Sequence, residues 1–285
     1  MVFVNRLILL ALSLLAACAP AASPAATSSP TSAARPSSTL RPTWTPLPTL
    51  PAEEALKMVH ELFTTNAGCR LPCWWGITPG VTTWEEARQF FAAFTTDIIQ
   101  RDSVQITEKG ITYVETGFGV RFAVEGVPSG GAVSLGVINS EISTIHLGKL
   151  PIQYTIPLHQ FLEEYGPPTQ IFMRTFANAP DLPLPFILIL FYENQGIMAI
   201  YDYEAERVGD LLHSCPMPVG TILWLWSQEI EMDDEDIEFR VLGPDPSKPL
   251  RLLEEVTDYT TDSFYQTFKE TDIETCIDTP VEHWE

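Results

Sequence analysis

The twelve residues CRLPCWWGITPG, Cys69 to Gly80, contain two cysteines, two tryptophans, two prolines and two glycines. This density of proline and glycine predicts a turn rather than a helix or a strand. A helical pattern precedes the segment at residues 53–63, and a second helix is predicted from Thr82, where Thr82-Thr83-Trp84-Glu85 matches a capping box. We therefore expect a loop that joins the first helix to the first helix-and-sheet unit.

The cysteines favour a disulfide-bonded, exported protein. Apart from Cys18, the chain has Cys69, Cys73, Cys215 and Cys276, which allow three pairings. Disulfides are the usual state of cysteines in exported proteins. Among the three pairings, we favour the local pair Cys69 with Cys73 and the long-range pair Cys215 with Cys276. The alternative for Cys69-x-x-x-Cys73 is a redox pair, although its spacing is one residue longer than the Cys-x-x-Cys of thiol oxidoreductases.

The N-terminus predicts export and lipid anchoring. Residues 7–15 are almost wholly apolar, and this stretch fits a signal peptide but is too short for a permanent membrane span. It ends in Leu15-Ala16-Ala17-Cys18, which resembles the bacterial lipobox. The resemblance implies a signal peptide at residues 1–17 and a lipid on Cys18, with the protein held at the cell membrane and its domain on the extracytoplasmic side.

Residues 18–52 are rich in Ala, Ser, Thr and Pro, and this composition predicts a disordered linker, which could reach roughly 100 Å at about 3.1 Å per residue.

The part of the chain from Glu53 onward is strongly acidic: it has 13 Lys and Arg and 37 Asp and Glu, a net charge of −24. So acidic a domain should be repelled by nucleic acids and by anionic lipid headgroups. We expect it to reach the membrane only through its lipid anchor.

The remaining sequence predicts an α+β fold of two helix-plus-antiparallel-sheet units, with the helices packed on one face of the sheets. The first unit covers residues 53–150, and the second covers residues 151–285 and includes a C-terminal extension. Helices are predicted at residues 53–63, from 82, at 158–165 and at 261–270. Strands are predicted at residues 103–107, 111–116, 120–124, 132–138, 142–147, 169–175, 186–192, 197–203, 221–226 and 237–242.

The stretch from Gly76 to Ala87, GITPGVTTWEEA, resembles the opening of a repeat in bacterial assembly lipoproteins of the SmpA/OmlA kind. Similar helix-plus-sheet repeats occur in β-lactamase inhibitor protein, and their helix ending, Gly-x-Pro, matches Gly166-Pro167-Pro168. The chain is also similar to uncharacterised bacterial lipoproteins with a Pro-Cys-Trp-Trp-Gly-Ile segment and a late cysteine. These resemblances imply a non-enzymatic envelope protein that binds other proteins.

The adjacent Trp74 and Trp75 are the candidate binding residues: core packing is our first interpretation of the pair, and a ligand-facing role is the alternative. In an extended chain they would point to opposite sides, so that one could pack in the core and the other could face a ligand. No catalytic residue, metal-ligand set or cofactor motif is predicted, and the acidic run at residues 231–238 is interpreted as a solvated loop.

Three hypotheses for the function remain. The first is a non-catalytic binding or interaction domain for a protein or extracellular ligand. The second is a thiol-disulfide oxidoreductase using Cys69 and Cys73, and the third is a hydrolase with an unrecognised site.

Overall fold

The computed structural model describes residues 50–108, 111–177, 183–216, 220–232, 237, 250–270 and 275–284. The predicted signal peptide, Cys18 and all of the predicted linker before Leu50 lie outside these residues. Most of the acidic run at 231–238 and of the predicted strand at 237–242 also lies outside them. Within the described parts of the chain, no helix is both long enough and apolar enough to cross a membrane.

Strands dominate the described structure, and the helices are short. The helices are α1 Ala52–Thr65, α2 Trp84–Phe91, α3 Leu158–Tyr165, α4 Leu253–Val256 and α5 Thr261–Phe268. The strands are β1 Asp97–Glu108, β2 Ile111–Val124, β3 Val127–Ile138, β4 Glu141–Leu147, β5 Gln170–Thr175, β6 Leu184–Tyr192, β7 Ile197–Val208, β8 Leu211–Ser214, β9 Thr221–Trp226, β10 Arg251–Leu252 and β11 Ile277–Pro280.

The strands form one antiparallel sheet in the order β1-β2-β3-β4-β9-β7-β6-β5-β10, and β8 extends from β7 to pair with β11. The first four strands are a meander of consecutive hairpins. Strand β4 then pairs with β9, placing Thr144 opposite Trp226 and Leu147 opposite Leu223. This pairing joins the early and late strands into a single sheet.

The predicted α+β fold, with two helix-plus-antiparallel-sheet units and helices packed on one face of the sheets, is therefore wrong. The finding that overturns it is the β4–β9 pairing within one large sheet. Local periodicity along the chain indicates where strands lie, but it carries no information about which distant strands form hydrogen bonds with each other. The boundary predicted at residue 150 falls between two sections of one sheet.

Two apolar clusters lie on the sheet, and the alternation of side chains along each strand separates them. The larger cluster combines helix residues such as Phe91 and Phe161 with strand residues such as Leu135 and Leu188. The smaller cluster uses the alternate positions of the late strands. Its buried members are Phe172, Ile189, Phe191, Met198, Ile200, Trp226, Met232 and Ile237. The late half of the sheet thus buries apolar side chains on both faces.

Candidate ligand-binding groove

The segment from Cys69 to Gly80, here called the entry segment, is held by a turn and by the side chain of Asn66. Trp74 and Ile77 exchange two backbone hydrogen bonds of 2.9 Å across Trp75 and Gly76, both of which have positive φ. The Asn66 amide donates to the carbonyl oxygens of Cys69 and Cys73, at 2.7 and 2.9 Å, and its oxygen accepts from the Trp75 N–H at 2.8 Å. These bonds fix the loop on the end of α1.

Both tryptophans of the entry segment are buried, so neither presents its ring to solvent. Trp74 is 4% exposed and Trp75 is 1% exposed, and their rings stack with centroids 3.9 Å apart. Trp75 also contacts Phe63 and Phe122 in the larger cluster. The expectation that one ring faces a ligand is wrong, because the tight turn at Trp75 removes the alternation of an extended chain.

The four cysteines of the folded part form disulfides, Cys69 with Cys73 and Cys215 with Cys276, which is the pairing that the sequence favours. The first bond closes a short loop within the entry segment. The second joins the chain after β8 to the chain before β11, which are paired strands. The expectation of disulfide bonds is therefore confirmed.

The N-cap of helix α2 lies one residue later than predicted, and Trp84, the first residue of the helix, lines a surface groove. The N-cap is Thr83 rather than Thr82, since the Thr83 hydroxyl accepts from the Glu86 N–H and the Glu86 carboxylate accepts from the Thr83 N–H. The Thr82 hydroxyl instead accepts from the Thr78 N–H. The Trp84 N–H donates to the Ser140 carbonyl, which fixes the start of α2 on the β3–β4 turn.

The groove is open to solvent and has a volume of about 660 Å³, within the range of small-ligand sites. Trp84 stacks on Phe118 with ring centroids 3.8 Å apart and planes at 18°, forming an aromatic wall. Hydrogen-bonding side chains and two valines surround this wall. The full lining is Thr83, Trp84, Glu85, Gln100, Val114, Thr116, Phe118, Val137, Asn139 and Ser140.

The groove has one carboxylate, and its charge is stabilised. Glu85 accepts from the Arg88 guanidinium at 2.9 and 3.1 Å and from the Gln89 amide at 2.9 Å. The hydrogen bonds from Arg88 hold the pKa of Glu85 below its usual value. Glu85 therefore stays ionised at neutral pH, and an anionic ligand would meet both this charge and the acidity of the whole domain.

A histidine and a carboxylate meet at a second place, beside the Cys215–Cys276 disulfide. His213 Nδ1 lies 2.6 Å from Asp278 Oδ1, and His213 Nε2 lies 3.4 Å from Cys215 Sγ. This is the order of groups in a nucleophile-base-carboxylate relay. The sulfur of Cys215 is bonded to Cys276, so it offers no nucleophile to a hydrolytic reaction while the disulfide is intact.

The sequence does not indicate that Trp84 and Phe118 line a groove together. Trp84 belongs to the apolar stripe of α2, which predicts burial, and Phe118 falls at a predicted break between two strands. Two sequence features could have drawn attention to these residues. Trp84 is the first residue of a helix, and Phe118 lies between Gly117 and Gly119. Neither signal distinguishes core packing from a binding wall until the strands are placed beside the helix.

Comparison with protein-family models, with curated proteins and with solved structures finds no match for this chain.

Proposed function

We propose that this chain is a lipid-anchored, non-catalytic binding protein of the cell envelope whose ligand occupies the Trp84–Phe118 groove. The stacked pair at the groove wall is the observation that carries the proposal. The lipobox-like sequence at Cys18 and the linker at residues 18–52 support an anchored domain carried on a stalk on the extracytoplasmic side. The acidic charge of the domain argues against a nucleic acid ligand.

The chemistry of the groove favours an uncharged oligosaccharide as the ligand. An aromatic face packs well against the C–H face of a sugar ring, because it offers a large apolar area with partial negative charge. Gln100 and Asn139 can both donate and accept hydrogen bonds, as can the Ser140 hydroxyl. The hydroxyls of Thr83 and Thr116 already bond Glu86 and Ser103. The groove is open to solvent, which leaves room for a ligand larger than the groove itself.

The direct test screens the full-length protein in detergent micelles against an array of neutral and acidic oligosaccharides, followed by calorimetric titration of the hits. We expect binding to neutral sugars, and we expect Trp84→Ala to weaken it at least tenfold, as loss of an aromatic hot spot does. Trp224→Ala is the matched control, because Trp224 stacks on His146 and packs against the smaller cluster. Equal affinity in wild type and Trp84→Ala would reject the groove as the site.

The anchor has a separate test. We expect Cys18→Ser to yield a protein without lipid that no longer sediments with membranes, since stable anchoring needs the acyl chains. The measurement is fractionation of expressing cells, with mass spectrometry of the N-terminal peptide. Retention of the Cys18→Ser protein on membranes to the same extent as wild type would contradict the proposed anchor.

A further inference from the structure

The Cys215–Cys276 disulfide has neighbours that a purely structural crosslink does not require. Strand β8 lies between β7 and β11, and His213 at its centre is opposite Glu206 on one side and Asp278 on the other. His213 and Cys215 are two positions apart at the end of β8, so their side chains emerge on the same face. His213 Nε2, Cys215 Sγ and Cys276 Sγ all lie within 4.8 Å of one another.

The contact with Asp278 fixes the state of the imidazole. An ionised carboxylate only accepts hydrogen bonds, so the 2.6 Å contact requires a proton on His213 Nδ1. Nε2 is then the nitrogen that faces Cys215, at 3.4 Å from its sulfur. In the imidazolium form, Nε2 carries a second proton, and that proton is directed at the sulfur of Cys215.

His213, Asp278 and Cys215 are accessible, and Cys276 is half-buried. The side chain of His213 is 40% exposed and that of Asp278 is 54% exposed, and Cys215 itself is an exposed residue. At the Cys69–Cys73 bond the described structure shows a different environment, in which the Gly76 backbone N–H contacts Cys69 Sγ at 3.4 Å. A backbone amide cannot give up its proton to a departing thiolate, whereas an imidazolium can.

We propose that Cys215–Cys276 is a redox-active disulfide that exchanges with dithiols, with His213 as its catalytic acid and Asp278 as a positioning residue. A thiolate of the dithiol attacks Cys276 Sγ and forms a mixed disulfide, while the Cys215–Cys276 bond breaks. Cys215 leaves as a thiolate and takes the proton from His213 Nε2. The second thiol of the dithiol then attacks the mixed disulfide and passes its proton to Cys276, which leaves as a thiol, and His213 regains a proton from water. The dithiol is oxidised to a disulfide, and the protein gains two thiols.

This proposal moves the redox function away from Cys69 and Cys73, where the sequence suggests it, and it does not depend on the groove. It also predicts an order of reactivity. Protonation of the leaving thiolate accelerates exchange, because the leaving group then has the character of a low-pKa thiol. The Cys215–Cys276 bond should therefore open before the Cys69–Cys73 bond under the same reductant.

The test treats the folded full-length protein with dithiothreitol at neutral pH and follows both disulfides by differential alkylation and mass spectrometry. In wild type, we expect Cys215–Cys276 to open at least tenfold faster than Cys69–Cys73. His213→Ala should slow the opening of Cys215–Cys276 about tenfold or more, in line with the effect of a general acid. The Cys69–Cys73 rate in the same sample is the internal control and should not change.

Two further measurements separate the chemistry from a structural effect. Imidazole added to the buffer should restore the rate in His213→Ala and leave wild type unchanged. Asp278→Asn should slow opening and Asp278→Glu should restore it, since a carboxylate is what holds the ring. Equal rates for wild type and His213→Ala, or no rescue by imidazole, would overturn the role of His213.

A trapping experiment needs no variant. Brief treatment of wild type with a large excess of a monothiol, followed by acid quenching, should leave the adduct on Cys276 and a free thiol at Cys215. An adduct confined to Cys215 would overturn the assigned order of steps. A disulfide that resists the monothiol and the dithiol as strongly as Cys69–Cys73 does would overturn the proposal as a whole.

Discussion

At the scale of single residues, two buried tyrosines differ in one property that stability measurements can detect. The Tyr192 hydroxyl donates to the carbonyl oxygen of Gly166 at 2.9 Å. The Tyr201 hydroxyl is fully buried and has no hydrogen-bond partner among the described residues. A buried polar group without a partner costs about 1–3 kcal/mol relative to one that is paired. The two positions therefore respond in opposite directions to loss of the hydroxyl.

We expect Tyr201→Phe to raise the free energy of unfolding by about 1 kcal/mol, because it removes an unpaired buried hydroxyl and keeps the ring. Tyr192→Phe is the matched control and should lower it by about 1 kcal/mol, since it removes a hydrogen bond. Urea unfolding followed by circular dichroism measures both. A loss of stability in Tyr201→Phe comparable to that in Tyr192→Phe would show that the Tyr201 hydroxyl is paired in solution.

Buried tyrosines also make the free energy of unfolding depend on pH. Burial raises the pKa of Tyr201 well above its usual value and raises the pKa of Tyr165 to about 12. In the unfolded chain these groups ionise near pH 10. Above about pH 10 the unfolded state therefore binds fewer protons than the folded state, and stability falls as pH rises. The loss should be smaller in Tyr201→Phe than in wild type.

At the scale of elements, the sequence predicts several strands well, divides β2 at its glycines, and misses the short strands β8, β10 and β11. The predicted helix at residues 158–165 and the predicted strand at 221–226 have the bounds of α3 and β9. By contrast, two strands predicted around Gly117 are the single strand β2. Gly117 and Gly119 are not turn residues, since both lie within β2 and pair with β1 or β3. The Arg101 side chain lies across the two glycines, where a larger side chain at either position would crowd it.

The turn between β6 and β7 was predicted correctly, and its glycine is required for two reasons. Gly196 has a φ of +67°, which residues with a Cβ rarely adopt, and an added Cβ would overlap the carbonyl oxygen of Trp226 on β9. Gly209, between β7 and β8, has a similar φ of +65° but open space around its Cα. Comparing alanine substitutions at Gly196 and Gly209 therefore separates the free-energy cost of the positive φ from that of the overlap with Trp226.

We expect Gly209→Ala to lower the free energy of unfolding by about 1 kcal/mol, which is the cost of the backbone angle alone. Gly196→Ala should cost about 3 kcal/mol, since the backbone strain is joined by displacement of β9. Urea unfolding of the two variants compares them directly through the midpoint at a constant slope. Similar losses in both would mean that the β6–β7 turn is not packed against Trp226 in solution.

At the scale of the whole molecule, the long-range pairing of β4 with β9 decides the architecture. It merges the two predicted units into one sheet, and it follows from the meeting of strands about 80 residues apart rather than from any local pattern. The groove also depends on contacts between separate elements. Its walls come from α2, from β1 to β3 and from the β3–β4 turn, so its existence could not be predicted from the segment around Trp84 alone.

In the proposed function, the lipobox-like sequence and the linker hold the binding surface of the acidic domain away from a membrane. In this arrangement the entry segment from Cys69 to Gly80 is structural, since it buries two tryptophans against α1 and the sheet. We propose that the binding role suggested by this segment belongs instead to Trp84, four residues beyond its end. The disulfide in this segment stabilises the loop that precedes the groove.

The central claim is that a ligand stacks on Trp84, and NMR of the indole N–H groups tests it most directly. The chain has seven tryptophans, and single substitutions assign their indole signals in a 15N-labelled sample. On titration with a neutral oligosaccharide selected from the array, we predict that the Trp84 signal shifts and saturates while the Trp224 and Trp226 signals stay in place. Saturable shifts of Trp224 or Trp226 with an unmoved Trp84 signal would contradict the account.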